Sequence, residues 1–414
     1  MELKAGYKQT EVGVIPEDWS AISLGNLAQI QRGASPRPID SPVWFDENSK
    51  TGWLRISDVS KSNKYLKNTV QSLSDKGIAN SRFVPSRSLV MSICATVGRP
   101  IITLKDVCIH DGFVVFGNLK TDMDFLYYVL TDLEKDWSKH GQTGSQMNLN
   151  TGLINSTKIP LPPTKAEQEA IAKALSDMDT LIQSLEQQII KKQQIKQGAM
   201  QSLLNPYDKS GKLKSGWIKT TLGRIGIFSK GSGVTKEQAL SGNIPCVRYG
   251  ELYTRHNNVI TSFQSYISAS VSDSAVKLKQ GDILFAGSGE TKEDIGKCAA
   301  FVMNLDAYAG GDIVIMRPNI GQDPTFLGYF LNTEPVRRQK SSKGQGDAVV
   351  HISANALSAI EVTIPDTQEE QAEIGRVFNA MSTEIADLQT KLVKHQKLKQ
   401  GMMQNLLTGT VRLV

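Results

Sequence analysis

Two stretches of the chain show the apolar spacing of long helices that pair with another helix. In residues 164–204 the apolar stripe consists of Leu175, Met178, Ile182, Leu185 and Ile189. The C-terminal stretch has a similar stripe, formed by Ile374, Val377 or Phe378, Met381, Ile385, Leu388 and Leu392. Spacings of three and four residues give a narrow seam that suits a partner helix. Because each helix would extend roughly 60 Å, we expect the two to pair, antiparallel if the halves are related by a pseudo-twofold axis.

The residues that precede both stretches predict where the helices begin. Prolines in the segment 159–163 exclude an earlier start of the first helix. Thr164 is followed three residues later by Glu167, and Thr367 is followed by Glu370. This is the spacing of a capping box, so we expect Thr164 and Thr367 to be the N-caps.

The chain is an internal repeat. KQGAMQSLL at 196–204 recurs as KQGMMQNLL at 399–407, an offset of 203 residues (399 − 196). WSAISLGNLAQIQRG at 19–33 resembles WIKTTLGRIGIFSKG at 217–231, and each predicts a β-prone segment that ends at a glycine before a loop. Further pairs are IHDGFVVF (109–116) with AGGDIVIM (309–316), each a turn and buried strand, and FLYYVL (125–130) with FLGYFL (326–331), each a short helix.

The middle of each half does not repeat. LRISDVSKSNKYLKNTVQS in the first half has no close counterpart around CVRYGELYTRHNNVITS in the second. A repeated frame with unlike contents favours one task performed twice on two different targets; the alternative is an old duplication whose loops have drifted. The predicted division is a first domain at 1–158, a spacer helix and linker at 159–208, a second domain at 209–362 and a distal helix at 363–414.

Composition and charge add little to this picture. The 414 residues carry a formal charge of +6 with 40% hydrophobic residues, which fits two or three domains and is compatible with nucleic acid. The four cysteines form no CxxC pair, which favours reduced, buried thiols over a zinc site. The chain has no apolar run of about 20 residues and no apolar signal core. We therefore expect a cytoplasmic protein.

Three strings resemble catalytic motifs, and none is complete. NPY at 205–207 lacks one proline of the NPPY motif of amino-methyltransferases and follows a helix end. GDILFAGSGE at 281–290 resembles a nucleotide-binding loop, but the first half lacks these glycines, so a strand and tight turn is the better interpretation. Asp282 with Glu290, Thr291 and Lys292 could imitate a nuclease metal site.

The histidines give no sign of a metal site. His110, His140, His256, His351 and His395 form neither an HxxxH nor an HExxH spacing, so they are interpreted as surface or packing residues. We expect neither metal nor cofactor on this chain, and no catalytic residue.

Together the repeated segments resemble the specificity subunit of type I restriction-modification systems, over essentially the whole chain. The resemblance rests on the opening YKQTEVGVIPEDW (7–19), the W-x4-LG strand, the IP…T…EQ helix start and the KQGxMQxLL helix end in both halves. The GDIL-type segment is intact only at 281–284, because the first half has SRSL at 86–89.

The resemblance implies an α/β (α+β) fold. Two repeated target-recognition domains with irregular, curved sheets would be separated by two long, antiparallel, paired spacer helices. Each domain would read one half of a bipartite site in double-stranded DNA. The resemblance also implies two methyltransferase subunits as partners, which bind S-adenosylmethionine and methylate adenine, and restriction subunits where the system has them.

Basic and polar residues near the variable segments are the candidate DNA contacts, because arginine can donate two hydrogen bonds to guanine and lysine mostly binds phosphate. In the first half they are Arg32, Arg37, Arg55, Lys61, Lys64, Lys139 and Gln142. In the second half they are Lys230, Lys236, Arg248, Arg255, His256, Arg338, Lys340 and Lys343. Helix pairing and subunit docking are assigned to Leu175, Met178, Ile182, Leu185, Ile189, Met381, Ile385, Leu388 and Leu392.

Two other functions stay open at this point. One is an enzyme, either a methyltransferase or a nuclease with its own active site. The other is a coiled-coil scaffold with no DNA role. The incomplete NPPY motif and the one-sided Asp282 cluster argue against the enzyme.

Overall fold

The chain folds into two compact units, and each contains parts of both long helices. The computed structural model describes residues 5–140, 149–346 and 349–413. Unit 1 comprises Met1–Glu186 with Lys391–Val414, and unit 2 comprises Gln187–Thr390.

Unit 1 contains short strands and helices followed by the first long helix. Its strands are β1 (Tyr7–Thr10), β2 (Gly13–Pro16), β3 (Ser20–Ser23), β4 (Gln29–Arg32), β5 (Gly52–Leu54), β6 (Tyr65–Leu66), β7 (Gln71–Ser72), β8 (Arg82–Val84), β9 (Leu89–Ser92), β10 (Pro100–Thr103), β11 (Val107–Ile109), β12 (Phe113–Gly117) and β13 (Lys158–Leu161). Its helices are α1 (Leu24–Leu27), α2 (Ile56–Lys61), α3 (Asp75–Ala79), α4 (Met123–His140), α5 (Thr151–Ser156) and the start of α6 (Lys165–Leu203), with a 3-10 turn at Pro42–Trp44.

Unit 2 has a similar order of elements. Its strands are β14 (Trp217–Thr221), β15 (Gly226–Lys230), β16 (Ile244–Val247), β17 (Asn258–Val259), β18 (Ser265–Ile267), β19 (Val276–Lys277), β20 (Ile283–Ala286), β21 (Ser288–Gly289), β22 (Cys298–Ala300), β23 (Tyr308–Ala309), β24 (Ile313–Pro318), β25 (Val350–His351) and β26 (Glu361–Pro365). Its helices are α7 (Leu222–Ile225), α8 (Tyr249–Thr254), α9 (Ala269–Ser272), α10 (Pro324–Phe330), α11 (Glu334–Lys343), α12 (Ala354–Ser358) and the start of α13 (Gln368–Leu406).

The sheets of the two units have matching strand orders. The five-stranded sheet has the order β4-β12-β9-β10-β6 in unit 1 and β15-β24-β20-β22-β17 in unit 2. Each unit also contains a four-stranded sheet. Its order is β7-β5-β11-β8 in unit 1 and β18-β16-β23-β19 in unit 2. Both five-stranded sheets mix antiparallel pairs with one parallel pair at the edge, β10 with β6 and β22 with β17. The predicted mixed α/β fold with an internal repeat is confirmed.

The WSAISLGNLAQIQRG segment and its copy each form three elements instead of the single predicted β segment. Each contains two strands separated by one turn of helix, α1 or α7. The glycine that ends each copy lies against backbone, because a Cβ on Gly33 would overlap the carbonyl oxygen of His110 and one on Gly231 that of Gly310. This close approach explains why both halves have glycine there. The helix that contains FLYYVL is also longer than predicted, since α4 extends over 18 residues.

In each unit the start of one long helix packs against the end of the other. The core of unit 1 contains Ile171 and Leu175 of α6 together with Leu406 and Leu407 from the end of α13 and beyond. The core of unit 2 contains Leu204, next to α6, with Ile374 and Phe378 of α13. Residue numbers rise along one helix as they fall along the other, so the two segments are antiparallel within each unit.

A lysine of the KQG repeat makes an equivalent polar contact across the helices in each unit. Lys399 Nζ lies 2.6 Å from Asp179 Oδ1 and 5.7 Å from the ring centroid of Tyr128. In unit 2, Lys196 Nζ donates to Ser382 Oγ at 2.7 Å and lies 5.1 Å from the ring centroid of Tyr329. The tyrosines come from α4 and α10, so this contact joins a helix of each repeated half to both long helices.

Both predicted N-caps are confirmed, with a different use of the capping-box glutamate. Thr164 Oγ1 accepts from the amide of Glu167 at 3.2 Å, and Thr367 Oγ1 accepts from the amide of Glu370 at 3.4 Å. The Glu370 carboxylate accepts from Trp217 Nε1 at 3.1 Å. The buried Glu167 carboxylate instead receives the guanidinium of Arg412, at 2.8 Å from Nη2.

The glutamine after each of these glutamates connects the long helix to another helix of the same unit, α4 or α10. Gln168 Oε1 accepts from the amide of Asp122 at 2.9 Å, just before α4. Gln371 Oε1 accepts from the amide of Asp323 at 2.9 Å, just before α10. Both glutamines are buried. The side-chain amide of each also donates to the carbonyl oxygen of a proline that lies at, or just after, the end of the preceding strand. The EQ pair of the sequence repeat therefore has a structural role.

Candidate nucleic-acid interface

In unit 1 the turn before β12 orients two of the predicted DNA-contact residues. Arg32 Nε donates to the carbonyl oxygen of Asp111 at 2.7 Å, and Arg37 Nη2 lies 3.3 Å from Asp111 Oδ2. Ser35 Oγ donates to Asp111 Oδ1 at 2.8 Å. Burial raises the pKa of Asp111, but the Ser35 hydrogen bond and the nearby charges of His110 and Arg37 bring the net pKa below its ordinary value. Asp111 is therefore a charged anchor for exposed guanidinium groups.

Arg82 belongs to the same cluster and was not among the predicted residues. Its Nε donates to the carbonyl oxygen of Arg32 at 2.8 Å, and its Nη1 donates to Gln31 Oε1 at 3.1 Å. Arg82 begins β8, fifty residues along the chain from Arg32. Only the fold brings the two together, so no local signal in the sequence could have identified it.

Unit 2 has a basic residue at the equivalent position. Lys230 ends β15, as Arg32 ends β4, and its Nζ lies 3.7 Å from Asp312 Oδ1 in the turn before β24. Both side chains are largely exposed. The pairing of strand end and acidic turn thus recurs, with a lysine where unit 1 has an arginine.

The other predicted contacts lie on separate elements. Arg55 precedes α2, where its Nε donates to Gln71 Oε1 at 3.0 Å, and Lys61 ends that helix as an exposed residue. Arg248 and Arg255 flank α8, half-buried and exposed respectively. The remaining described positions are Lys236, exposed in a loop, Arg338, exposed beside Glu334, and Lys343, half-buried at the end of α11.

Three predicted DNA contacts are wrong, because their side chains are buried. Lys64 is 4% exposed, His256 3% and Lys340 1%. The Lys64 ammonium lies 2.6 Å from Asp124 Oδ1 and donates to Ser176 Oγ at 2.7 Å. His256 Nε2 lies 3.4 Å from the Glu251 carboxylate. Buried to this extent, the three side chains offer no surface to a nucleic acid.

Lys340 is the most unusual of the three. Its Nζ donates to the carbonyl oxygen of Gly296 at 2.7 Å, and burial lowers its pKa. The side chain of Lys139 and the whole of Gln142 lie outside the described residues.

The predicted helix-pairing residues follow the buried side of the long helices. Leu175 belongs to the core of unit 1, and Met381 packs against the core of unit 2. Leu185, Ile189 and Ile385 are also buried. The half-buried members are Met178, Ile182, Leu388 and Leu392. Their role in docking other subunits stays a prediction.

The comparisons with known proteins agree with this arrangement. The family model for the type I restriction modification DNA specificity domain matches twice, at residues 16–197 and 214–397. The chain belongs to this family. It is 22% identical to the type I restriction enzyme MjaVIII specificity subunit of Methanocaldococcus jannaschii, covering 96% of this chain and 94% of that protein. The predicted assignment to the specificity subunits is confirmed.

Other relatives of the family have the same extent and fold. The putative MjaX specificity subunit of the same organism is 24% identical over 98% of this chain and 97% of its own length. The crystal structure of the type I restriction-modification S subunit from M. genitalium aligns with a TM-score of 0.63 at 14% identity, covering 98% of both chains. At that identity the match concerns the fold.

The residues that resembled a nuclease site have structural partners. Asp282 is 1% exposed, and its two carboxylate oxygens accept from Arg317 Nε and Nη2 at 2.8 and 2.9 Å. GDILFAGSGE forms the predicted strand, β20, and a second short strand, β21, follows in place of the predicted tight turn. NPY is a turn, in which Asn205 Oδ1 accepts from the amide of Tyr207 at 3.1 Å.

The described residues contain neither a metal-binding cluster nor a helix that could cross a membrane. Within residues 5–140, 149–346 and 349–413, histidine, cysteine, aspartate and glutamate side chains form no group of three that could hold a metal ion. None of the helices described in those ranges combines the length and the apolar content that a bilayer-spanning segment needs.

The revised role of Lys64 is testable. Replacing Lys64 with methionine keeps the aliphatic stem but removes the cation beside Asp124 and the hydrogen-bond donor to Ser176. We expect a loss of unfolding free energy on the order of 2–3 kcal/mol, moderated because Asp124 is one-third exposed. Urea unfolding of Lys64→Met beside the exposed control Lys61→Met measures it. Unchanged stability together with weakened DNA binding would restore Lys64 as a DNA contact.

Proposed function

We propose that this chain is the sequence-reading subunit of a type I restriction-modification complex and recognises a bipartite DNA site. The observation that carries the proposal is the double match to the specificity domain, with a repeated frame and different variable segments. Unit 1 presents Arg32 and Arg37 around Asp111, whereas unit 2 presents Lys230 beside Asp312. Equivalent positions with different side chains suit two domains that read different half-sites.

On this proposal the chain has no catalytic role of its own. Methyl transfer and cleavage would be performed by the methyltransferase and restriction subunits, with S-adenosylmethionine bound by the methyltransferase. The Asp282–Arg317 ion pair supports this, because a carboxylate held by two guanidinium hydrogen bonds is a poor ligand for a metal. A cytoplasmic location follows, since the complex acts on cellular DNA.

The KQGxMQxLL ends of the long helices offer a docking surface for a partner that is present twice. In unit 2, Gln197, Met200 and Gln201 line a groove of about 980 Å³. In unit 1 the equivalent residues of the repeat line a groove of about 510 Å³; these are Gln400, Met403 and Gln404. Two grooves lined by the same repeated residues fit two copies of one partner, and we assign them to the two methyltransferase subunits.

The glycine of each KQG repeat supports this assignment. Gly198 and Gly401 lie inside helices, where glycine costs about 1 kcal/mol relative to alanine. No atom of the described chain lies within 4 Å of a Cβ built on either residue, apart from its immediate surroundings in the helix. The two long helices therefore do not approach each other closely at these glycines. Close approach of another subunit is the remaining reason for a glycine at both positions.

Substitution of these glycines separates folding from assembly. We expect Gly198→Leu and Gly401→Leu to fold with undiminished stability, because both sites are open. Each should weaken binding of the methyltransferase subunit about tenfold, roughly 1.4 kcal/mol, by filling the approach path. Titration calorimetry with the purified subunit measures the affinity. The matched control is Gly250→Leu, an equally open glycine in α8; equal effects at all three positions would contradict docking at the helix ends.

The proposed division into domains predicts which half of the DNA site each part of the chain reads. The boundaries are 1–158 and 209–362 for the recognition domains, with the helical regions 159–208 and 363–414. Replacing residues 20–158 with those of a relative should change one half-site and leave the other unchanged, because each half-site is read separately. Co-expression with the partner methyltransferase and single-molecule mapping of methylated adenines shows the motif. The reciprocal replacement of residues 218–361 is the control, and an exchange that alters both halves would contradict independent domains.

A further inference from the structure

A histidine of unit 2 is fixed on the surface by a buried serine. β21 and β25 pair with Ser288 opposite His351 and Gly289 opposite Val350. Val350 is 2% exposed and belongs to the core of unit 2, whereas His351 is exposed. Alternation along the strand therefore places His351 on the outer side. The His351 backbone also exchanges two hydrogen bonds with Gln345, at 2.8 and 2.9 Å.

The hydrogen bond with Ser288 determines which nitrogen of the His351 imidazole carries the hydrogen. Ser288 Oγ lies 2.8 Å from His351 Nδ1, and the serine is 3% exposed. This hydroxyl has no second hydrogen-bond partner in the part of the chain that the structure describes. Donating to Nδ1 satisfies the hydroxyl proton, whereas accepting from Nδ1 would leave a buried donor unpaired, which is unfavourable. The second ring nitrogen, Nε2, then carries a hydrogen and is a donor.

The same strand pair is attached to the helix that carries predicted DNA contacts. Tyr253 of α8 donates its hydroxyl proton to the Ser288 carbonyl oxygen at 3.0 Å. A Cβ on Gly289 would lie 2.6 Å from that tyrosine oxygen, so glycine permits the approach. Lys297 Nζ donates to the Tyr253 carbonyl oxygen at 3.1 Å, and the exposed Arg255 follows α8. Hydrogen bonds thus connect the strand pair of His351 to α8, which Arg248 and Arg255 flank.

We infer that His351 is a base-contacting residue of the second recognition domain, and that Ser288 is its positioning residue. The inference rests on the proposed function. The fixed Nε2–H would donate to an acceptor on a base edge, such as purine N7, guanine O6 or thymine O4. A side chain held by a strand pair and a buried hydroxyl loses little conformational freedom on binding, which suits discrimination between bases.

The test uses the full chain co-expressed with the methyltransferase, with motif mapping and DNA-binding titrations in salt. His351→Ala should relax discrimination about tenfold at one position of the half-site read by residues 209–362. The other half-site should be unchanged, and so should the salt dependence. His351→Gln should restore part of the discrimination, because its amide can donate. Ser288→Ala should relax the same position to a smaller extent. The control is His395→Ala, which removes a histidine of α13 whose Nδ1 lies 2.7 Å from the Lys391 carbonyl oxygen.

Two results would overturn the base contact. An unchanged motif with lower affinity for all sequences, and a salt slope reduced by about 1, would identify a phosphate contact. An unchanged motif and affinity would identify a residue that does not touch DNA. Failure of the proposed function gives a different result, because the unmodified chain would then produce no split motif with its partner present.

Discussion

Both units depend on one kind of contact. A lysine near the end of one long helix meets a residue near the start of the other. A helix of 39 residues with a narrow apolar stripe cannot bury that stripe alone. In unit 1 Lys399 meets Asp179 and the Tyr128 ring, and in unit 2 Lys196 meets Ser382 and the Tyr329 ring. Because the tyrosines belong to the recognition domains, one contact sets the register of the helices and the attachment of the domain.

The parts of the fold that depend on local or periodic signals could be predicted from the sequence. The N-caps at Thr164 and Thr367, the helical stripes and the repeated strand segments all follow from residues close in the chain. Burial of single charged side chains could not be predicted. Lys64 lies in a polar, variable segment typical of a surface, yet a fold contact with Ser176, 112 residues away, encloses it. The partners of Arg82 and Ser288 are also far away in sequence, by 50 and 63 residues, so these contacts appear only in three dimensions.

Both units use one scaffold to present different chemistry. Matching five-stranded sheets place a basic strand end beside an acidic turn, and the side chain there is arginine in one unit and lysine in the other. The residues that build the scaffold are the repeated ones. They are the buried glutamines of the EQ pairs, the lysines that contact the other long helix, and the leucines at the ends of the long helices. Variation confined to segments between them allows the recognised sequence to change without loss of the helices or of the surface proposed for the methyltransferase subunits.

We propose that the long helices set the distance between the two half-sites, and that each half-site is read independently. Seven-residue insertions after Glu186 and after Thr390 test it most directly, because both positions lie where the chain passes between the units and leave the lysine contacts of each unit intact. Two added turns lengthen each helix by about 10 Å, or about three base pairs of DNA. Methylated-adenine mapping should then show unchanged half-sites with a gap about three base pairs longer. Altered half-sites, or an unchanged gap with methylation retained, would contradict the account.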